Sequence, residues 1–486
     1  MEQNENTYND NENRMNGRSE GRSTNGFSRF LIPLIILALI ASFFAGQAWA
    51  TRQYSLMDNK GFDLLQTTYE RIHQKYLYEL DDEKLIDGAI AGMVSSLGDT
   101  YSQFLPNEQG AEYAQSYQSN FYGIGAEIRE ENGRFFVSSL VKDMPAEKAG
   151  IKPEDEIVQV DRQPIEGMDF NELLSKVRGK KGTSVIIGVQ RAGAADVLQF
   201  EIQRAEIPVN TVSSERLAND IGLISISGFK EKTDAEFSEA LEKLQGEGEL
   251  KGLIIDLRSN PGGLLEQTVN IASMLIPKGE KVVDVVYKDN SKRISYVSRG
   301  GEAFTAPIVV LINEYSASAS EVLSAALKET VGAQIVGVTS YGKGVVQSYE
   351  RFRDSSVLVL TEAEWKTPLD NSIHKIGVEP NYVVKLPEYA SLHAIPSDVE
   401  LKLGSYGDNV ELLVQYLQTL GYSVPSEGVF DKELETVLRQ YETAKGLPVD
   451  GVYTAQDGTA MIEDIRALLK ENDTQLNKAI ELLHQG

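Results

Sequence analysis

The hydrophobic pattern divides the chain into stretches of different period. Residues 1–29 are polar, rich in Asn, Glu, Arg and Ser, and read as a disordered tail. Phe30 to Ala50, FLIPLIILALIASFFAGQAWA, is an uncharged apolar run. It is long enough to cross a bilayer, which takes about 20 residues. It has no polar face, which argues against a buried soluble helix. Residues 51–117 read as helical: FDLLQTTYERIHQKYL carries apolar residues three and four apart, and Leu85 to Leu97 does so again. From 118 to 206, short strands such as Arg134–Val137 and Val185–Val189 alternate with Gly/Pro turns. From 207 to 388, apolar runs (Leu253–Leu257, Ile308–Ile312, Ile335–Val338) alternate with helical stretches, the pattern of an α/β core. After a break at Ile395-Pro396-Ser397, a small helical module spans 399–462. A polar amphipathic helix, 463–486, ends the chain.

Length and charge narrow this picture. The chain has 486 residues, enough for roughly three domains of about 150 residues. Its 72 acidic and 47 basic residues give a formal charge of −25, which disfavours a nucleic-acid partner. There is no cysteine, so thiol catalysis, disulfides and Cys-based zinc sites are excluded. The four histidines (His73, His374, His393, His484) form no HxH or HExxH pattern, and no metal or other cofactor is expected. A hydrolase built from this chain is expected to use Lys, Asp or Glu as its base. Arg18, Arg22 and Arg29 precede the apolar run, which keeps the tail cytoplasmic and puts the rest outside the cytoplasm. Ala48-Trp49-Ala50 resembles a signal-peptidase site, so release after Ala50 is the alternative to a single-pass anchor.

Two segments carry recognition and chemistry. In the first, Tyr122-Gly123-Ile124-Gly125 precedes a strand, and a Gly-rich turn of this kind points backbone N–H groups into a hollow that suits a carboxylate. Met144-Pro145-Ala146 to Ile151 and Asp155-Glu156-Ile157-Val158 follow. The ordering resembles a PDZ domain, 118–206, and the resemblance implies capture of a free C-terminus as an added strand. Arg178 opens a basic cluster with Lys180 and Lys181, either a carboxylate contact or a solvated turn. In the second, the strand Pro307–Ile312 leads through Asn313-Glu314-Tyr315 to Ser316-Ala317-Ser318-Ala319-Ser320-Glu321 and a helix. A hydroxyl there meets backbone N–H groups and the helix dipole, although serine is also a common cap. Downstream, Lys343 stands between two glycines, and in an extended segment Gln347 points to its face and is placed to orient the ammonium. Burial lowers a lysine pKa toward the range in which it activates a serine. Gly262 and Gly263, in Arg258-Ser259-Asn260-Pro261-Gly262-Gly263, offer N–H groups for an oxyanion hole with Ala319. The residues do not separate the two glycines.

Together these pieces, with Leu97-Gly98-Asp99, resemble the C-terminal processing peptidases, a serine protease family, from about residue 60 to 388. The resemblance implies an α/β multidomain protein. Its protease core, 207–388, would be crotonase- or ClpP-like, joined to N-terminal helices, a PDZ domain and a small helical C-terminal module. It implies Ser318 as nucleophile, Lys343 as base, Gln347 as the residue orienting the lysine, and Ala319 with Gly262 or Gly263 as oxyanion donors. The turns of 399–462 (Leu420-Gly421-Tyr422, Gly428-Val429-Phe430-Asp431, Asp450-Gly451) resemble a peptidoglycan-binding module. The expected partners are protein substrates with a free C-terminus, peptidoglycan, the membrane through 30–50, and a second copy of the chain. A signalling role in sporulation is the setting the resemblance offers. A non-catalytic PDZ scaffold at the membrane or wall is the alternative. His374 is expected in a turn and not as a base, and Trp365 and Tyr315 as packing or groove residues.

Overall fold

The computed structural model describes residues 61–485 apart from 117–119, 132, 192, 195, 301–303 and 425–427. The expected anchor, 30–50, lies outside the described residues, among which no helix is long and apolar enough to cross a membrane. Two compact units are present, divided at Ile86/Asp87. In the first, helix α1 (Phe62–Lys75) has no buried residue. Its His73 pairs with Asp82 at 2.6 Å, at the start of α2 (Asp82–Ser95).

In the second unit, a short strand β1 (Gln103–Leu105) and helix α3 (Asn107–Ser116) come first. Strands β2 (Asn120–Gly123), β3 (Ala126–Glu131), β4 (Arg134–Leu140), β5 (Glu156–Val160), β6 (Gln163–Pro164), β7 (Ser184–Gln190), β8 (Leu198–Gln203) and β9 (Ala205–Pro208) follow, with helices α4 (Pro145–Ala149) and α5 (Phe170–Val177). They form a sheet ordered β3-β4-β5-β7-β8, with β6 beside β5 and β2 paired to β9. Val185, Ile187 and Val189 alternate inward with Phe135 and Val137 around Leu173 of α5. Strand β3 is an edge, open to a further strand.

The next strands are β10 (Val212–Leu217), β11 (Ile221–Ile226), β12 (Gly252–Asp256), β13 (Lys281–Tyr287), β14 (Arg293–Val297), β15 (Ile308–Ile312), β16 (Gln334–Gly337), β17 (Val345–Arg351), β18 (Val357–Lys366) and β19 (Tyr382–Val383). Helices α6 (Thr233–Gly246), α7 (Leu265–Leu275) and α8 (Ala319–Thr330) lie between them. One sheet, ordered β10-β11-β12-β15-β16-β19, is parallel from β11 onward. The other is antiparallel: β1, β13 and β17 pair with β18, and β14 with β13. A parallel strand covered on both faces is apolar at every position, and all five residues of β15 are buried. Ile308, Val310 and Ile312 face the helical side, and Val309 and Leu311 the other.

That other face is closed by the end of the chain. Helices α9 (Asp408–Thr419), α10 (Lys432–Lys445) and α11 (Ala455–Glu471) make a small bundle around Leu413, Tyr416, Leu438 and Tyr441. One helix, α11, runs straight through residue 462. The last helix, α12 (Thr474–Gln485), returns to the protease sheet, where Ala479 and Leu483 bury against Ile254, Val309 and Val336. Its apolar face is therefore used within the chain.

Candidate active site

Strand β15 delivers Ser318 to the start of α8 through a turn held at every step. Asn313 Oδ1 accepts the Ser259 N–H at 2.7 Å, and the Ser316 hydroxyl donates to Leu257 O at 2.8 Å. The Ala317 N–H and the Ser320 hydroxyl both donate to Asn260 O, at 3.0 and 2.9 Å. Ser316 and Ser320 are fully buried, whereas Ser318 lines a cavity of about 440 Å3. Of the three serines, Ser318 is thus the one that lines the cavity. Its backbone sits at φ 55° and ψ −112°, a conformation that costs a non-glycine residue about 1–3 kcal/mol. As the first residue of α8, Ala319 has no intrahelical acceptor for its N–H.

The loop before α7 forms the facing wall. Asn260 is buried; its side chain donates to Ile226 O at 2.8 Å and accepts the Gly262 N–H at 2.9 Å. That N–H is therefore committed within the loop. Gly262 (φ 101°) must remain glycine, because a Cβ would lie 2.9 Å from Ser318 Cβ. Gly263 has a parallel bridge to Phe229, which uses the Gly262 carbonyl and the Leu264 N–H. The Gly263 and Ala319 N–H groups have no acceptor among the described residues, whereas that of Gly262 does.

Lys343 precedes β17, and its two glycines serve close approach: a Cβ at Gly344 would lie 2.5 Å from His374 N. Trp365, expected as packing or groove, is buried; its indole N–H donates to Lys343 O at 3.1 Å, and it lines the cavity. The Lys343 side chain is partly buried, and burial lowers its pKa against the opposing pull of Asp99 and Glu321. Its Nζ lies 5.0 Å from the centre of the Tyr101 ring. Gln347 lines the same cavity, but β17 bulges between Val346 and Gln347, and its amide donates to Thr361 Oγ1 at 3.4 Å. The hydrogen bond it makes is thus to β18, while it shares the cavity with the lysine. His374 sits in a turn, with Nδ1 buried and without a hydrogen-bond partner among the described residues, and its ring meets Tyr101 edge-on. Tyr315 is exposed.

Glu321 is the residue that the pattern of the chain did not single out. It is fully buried. Its carboxylate accepts from Ser318 N (2.8 Å), Ser340 Oγ (2.6 Å), Gly342 N (2.7 Å) and Lys343 N (2.9 Å). One side chain thus joins the serine turn to the lysine loop. The only signal in sequence was a glutamate three residues after a capping serine.

In the N-terminal sheet, Tyr122 and Gly123 belong to β2, the Ile124 side chain is buried, and Gly125 turns at φ 78° against Met144. The carbonyls of Ile124 and Gly125 accept from Ala146 and Val141. Arg178 stacks over the Phe121 ring at 5.3 Å, beside the same turn.

Family models match peptidase family S41 at 220–384, the activating protease CtpB N-terminal domain at 44–109, a PDZ domain at 136–191 and a peptidoglycan binding domain at 406–461. The chain is 38% identical over 455 residues to carboxy-terminal processing protease CtpA of Bacillus subtilis (strain 168), covering 93% of this chain and 97% of that protein. It is 36% identical over 440 residues to carboxy-terminal processing protease CtpB of the same organism, covering 89% and 91%. A solved photosystem II D1 C-terminal processing protease is 28% identical, with a TM-score of 0.41, over 68% of this chain and 88% of that one. A serine and a lysine on one cavity, joined to a PDZ domain and matched along almost the whole chain, make this protein a member of the carboxy-terminal processing proteases of peptidase family S41.

Proposed function

We propose that the chain is a Ser/Lys endopeptidase that cleaves extracytoplasmic proteins presented by their C-termini. The observation that carries this reading is one cavity lined by Ser318, Lys343, Ala319 and Gly263, the last two with backbone N–H groups that have no acceptor among the described residues. Neutral Lys343 takes the Ser318 proton as Oγ attacks the scissile carbonyl. The Ala319 and Gly263 N–H groups stabilise the resulting oxyanion. Lys343 then protonates the leaving amine, the C–N bond breaks, and an ester remains on Ser318. Water, deprotonated by Lys343, hydrolyses the ester, and Ser318 recovers its proton. Gln347 orients the lysine by exchanging its long bond to Thr361 for one to Nζ.

The open edge of β3 supports capture of a C-terminus by strand addition, with Ile124 and Gly125 N–H groups and Arg178 at its carboxylate. That capture gates the active site. Residues 30–50 anchor the protein with its catalytic part outside the cytoplasm, or release it after Ala50, and 399–462 binds peptidoglycan. Helix α1, with no buried residue, supports a homodimer through the N-terminal helices. Signalling proteolysis in sporulation is the setting this arrangement suits.

The test uses residues 51–486 and a loosely folded protein substrate. Ser318→Ala and Lys343→Ala should each lose at least about 10³-fold in turnover. Full activity in Lys343→Ala rejects the base. A folded but inactive His374→Ala enzyme restores a histidine triad, full activity in Ser318→Ala rejects the nucleophile, and no turnover by the unsubstituted protein leaves the scaffold reading.

A further inference from the structure

The loop between α2 and β1 lies outside the elements that carry Ser318 and Lys343, yet it reaches the lysine. Strand β1 pairs with β18 from Gln103↔Val359 to Leu105↔Val357, and β18 pairs onward with β17. Within the loop, the Tyr101 N–H donates to Asp99 Oδ1 at 3.0 Å and the Ser102 hydroxyl to Asp99 Oδ2 at 2.6 Å. The Thr361 N–H donates to Ser102 Oγ at 3.0 Å, and Thr361 Oγ1 is the acceptor of the Gln347 bond. The loop is thus tied to the strand that flanks the base. The Tyr101 ring lies against His374, centroids 6.4 Å apart, and the ammonium of Lys343 lies 5.0 Å from the ring centre.

We propose that Tyr101 is a positioning residue for the base: its ring seats the Lys343 ammonium and keeps water from it, while Asp99 sets the charge beside it. This rests on the reading of Lys343 as base. The ring face attracts the ammonium, which raises the lysine pKa, and shuts out water, which lowers it; burial is the largest influence on Lys343, so the loss of the ring acts mainly by admitting water. A nearby carboxylate raises the lysine pKa. The groups facing Lys343 come from several elements. Asp99 and Tyr101 belong to the loop and Glu321 to the first turn of α8, while Tyr341, from the lysine's own loop, bonds Tyr101. His374 stands behind Tyr101, and Lys230 lines the same cavity. Burial and the Tyr341 hydroxyl push the Tyr101 phenol up to about 12, so the ring stays neutral where the lysine works. Burial pushes the Asp99 carboxyl up, but hydrogen bonds from Ser102, Thr361 and Tyr101 N–H outweigh it and hold the group ionised.

Two measurements test the seat. Competitive acetylation with acetic anhydride across a pH series, in a Ser318→Ala background, reads the Lys343 pKa directly. The acid limb of kcat/KM reads it through turnover. Tyr101→Ala should raise both by about half a pH unit or more and lower kcat about three- to thirtyfold. Tyr101→Phe keeps the ring and should restore both. Asp99→Asn removes the carboxylate charge and should move both the other way. Equal effects of Ala and Phe at Tyr101, or an unmoved pKa in the Ala protein, overturn the proposal. Should the Ala protein fail to fold, an unmoved limb in Asp99→Asn overturns it instead. An active Lys343→Ala enzyme removes the underlying reading, whereas an inactive one with unmoved Tyr101 variants removes only the seat.

Discussion

Glu321→Ala is the most informative single change. The carboxylate holds four donors, of which three are backbone N–H groups (Ser318, Gly342, Lys343) that cannot turn elsewhere. A buried donor left without an acceptor costs about 1–3 kcal/mol, so three give about 3–9 kcal/mol. Water entering the hole and relief of the buried charge offset part of this, leaving about 3 kcal/mol of net destabilisation. The geometric effect is larger. Without its brace the Ser318 backbone relaxes from its strained φ of 55°, and a displacement of about 1 Å costs about 10²-fold in rate. Glu321→Gln keeps a carbonyl for Ser318 and Lys343 but turns an NH2 group toward the Gly342 N–H. It should cost about 1–2 kcal/mol and about tenfold in rate. Urea unfolding gives the stability, and kcat/KM measured well below the transition gives the geometry. A Glu321→Ala protein with an unchanged urea midpoint and kcat/KM within about threefold of wild type would refute the reasoning. The pH dependence adds a sign. Burial pushes the Glu321 carboxyl above the ordinary glutamate value despite its donors. Its contribution is therefore fully present below that value and falls as pH rises through the raised one; the Gln protein should lack this slope.

Other predictions follow the same contacts. Because burial lowers the Lys343 pKa, the acid limb of kcat/KM should lie below the ordinary lysine value of about 10.5. The same depression means stability rises with pH between the two values, and Lys343→Met should remove that rise in urea midpoints. Gly262→Ala forces a Cβ against Ser318 and Ala317 O, so kcat should fall about 10²-fold or more with a smaller change in KM; an unchanged kcat would exclude close approach there. Asp473 bonds Arg258 at 2.8 and 2.9 Å, and Arg258 keeps Asp256 as a second partner. Asp473→Ala should therefore cost about 1.5–3 kcal/mol in urea unfolding, and a cost under about 0.5 kcal/mol would show that the tail does not brace this loop.

Much of the site was legible because its chemistry is local. Lysine between glycines, three spaced serines and a Gly-Gly turn are unusual over a few residues, and they point to Ser318 and Lys343, which the fold brings to one cavity. The apolar run Ile308–Ile312 likewise announced a strand buried on both faces. What covers its second face was not legible. Helix α12 reads as polar and amphipathic, and it contributes Ala479 and Leu483 from far along the chain to the layer over Val309 and Leu311. Which serine is presented was suggested by spacing but depends on where the hydroxyls of Ser316 and Ser320 find acceptors, at Leu257 and Asn260. The separation of Gly262 from Gly263 follows from one side chain, Asn260, and the bond of Gln347 to Thr361 from the pairing of β17 with β18.

Glu321 and Tyr101 mark the boundary most clearly. A glutamate after a capping serine is ordinary in sequence, and a tyrosine far upstream of the lysine carries no mark of its own. They acquire meaning only when α8, the lysine loop and β1 are brought together. Sequence by itself determined which residues are candidates for the chemistry, because reactivity belongs to residue type and short spacing. Tertiary structure decided how those residues are held and desolvated, because a hydrogen-bond acceptor or an aromatic face acts through distance in space and not along the chain.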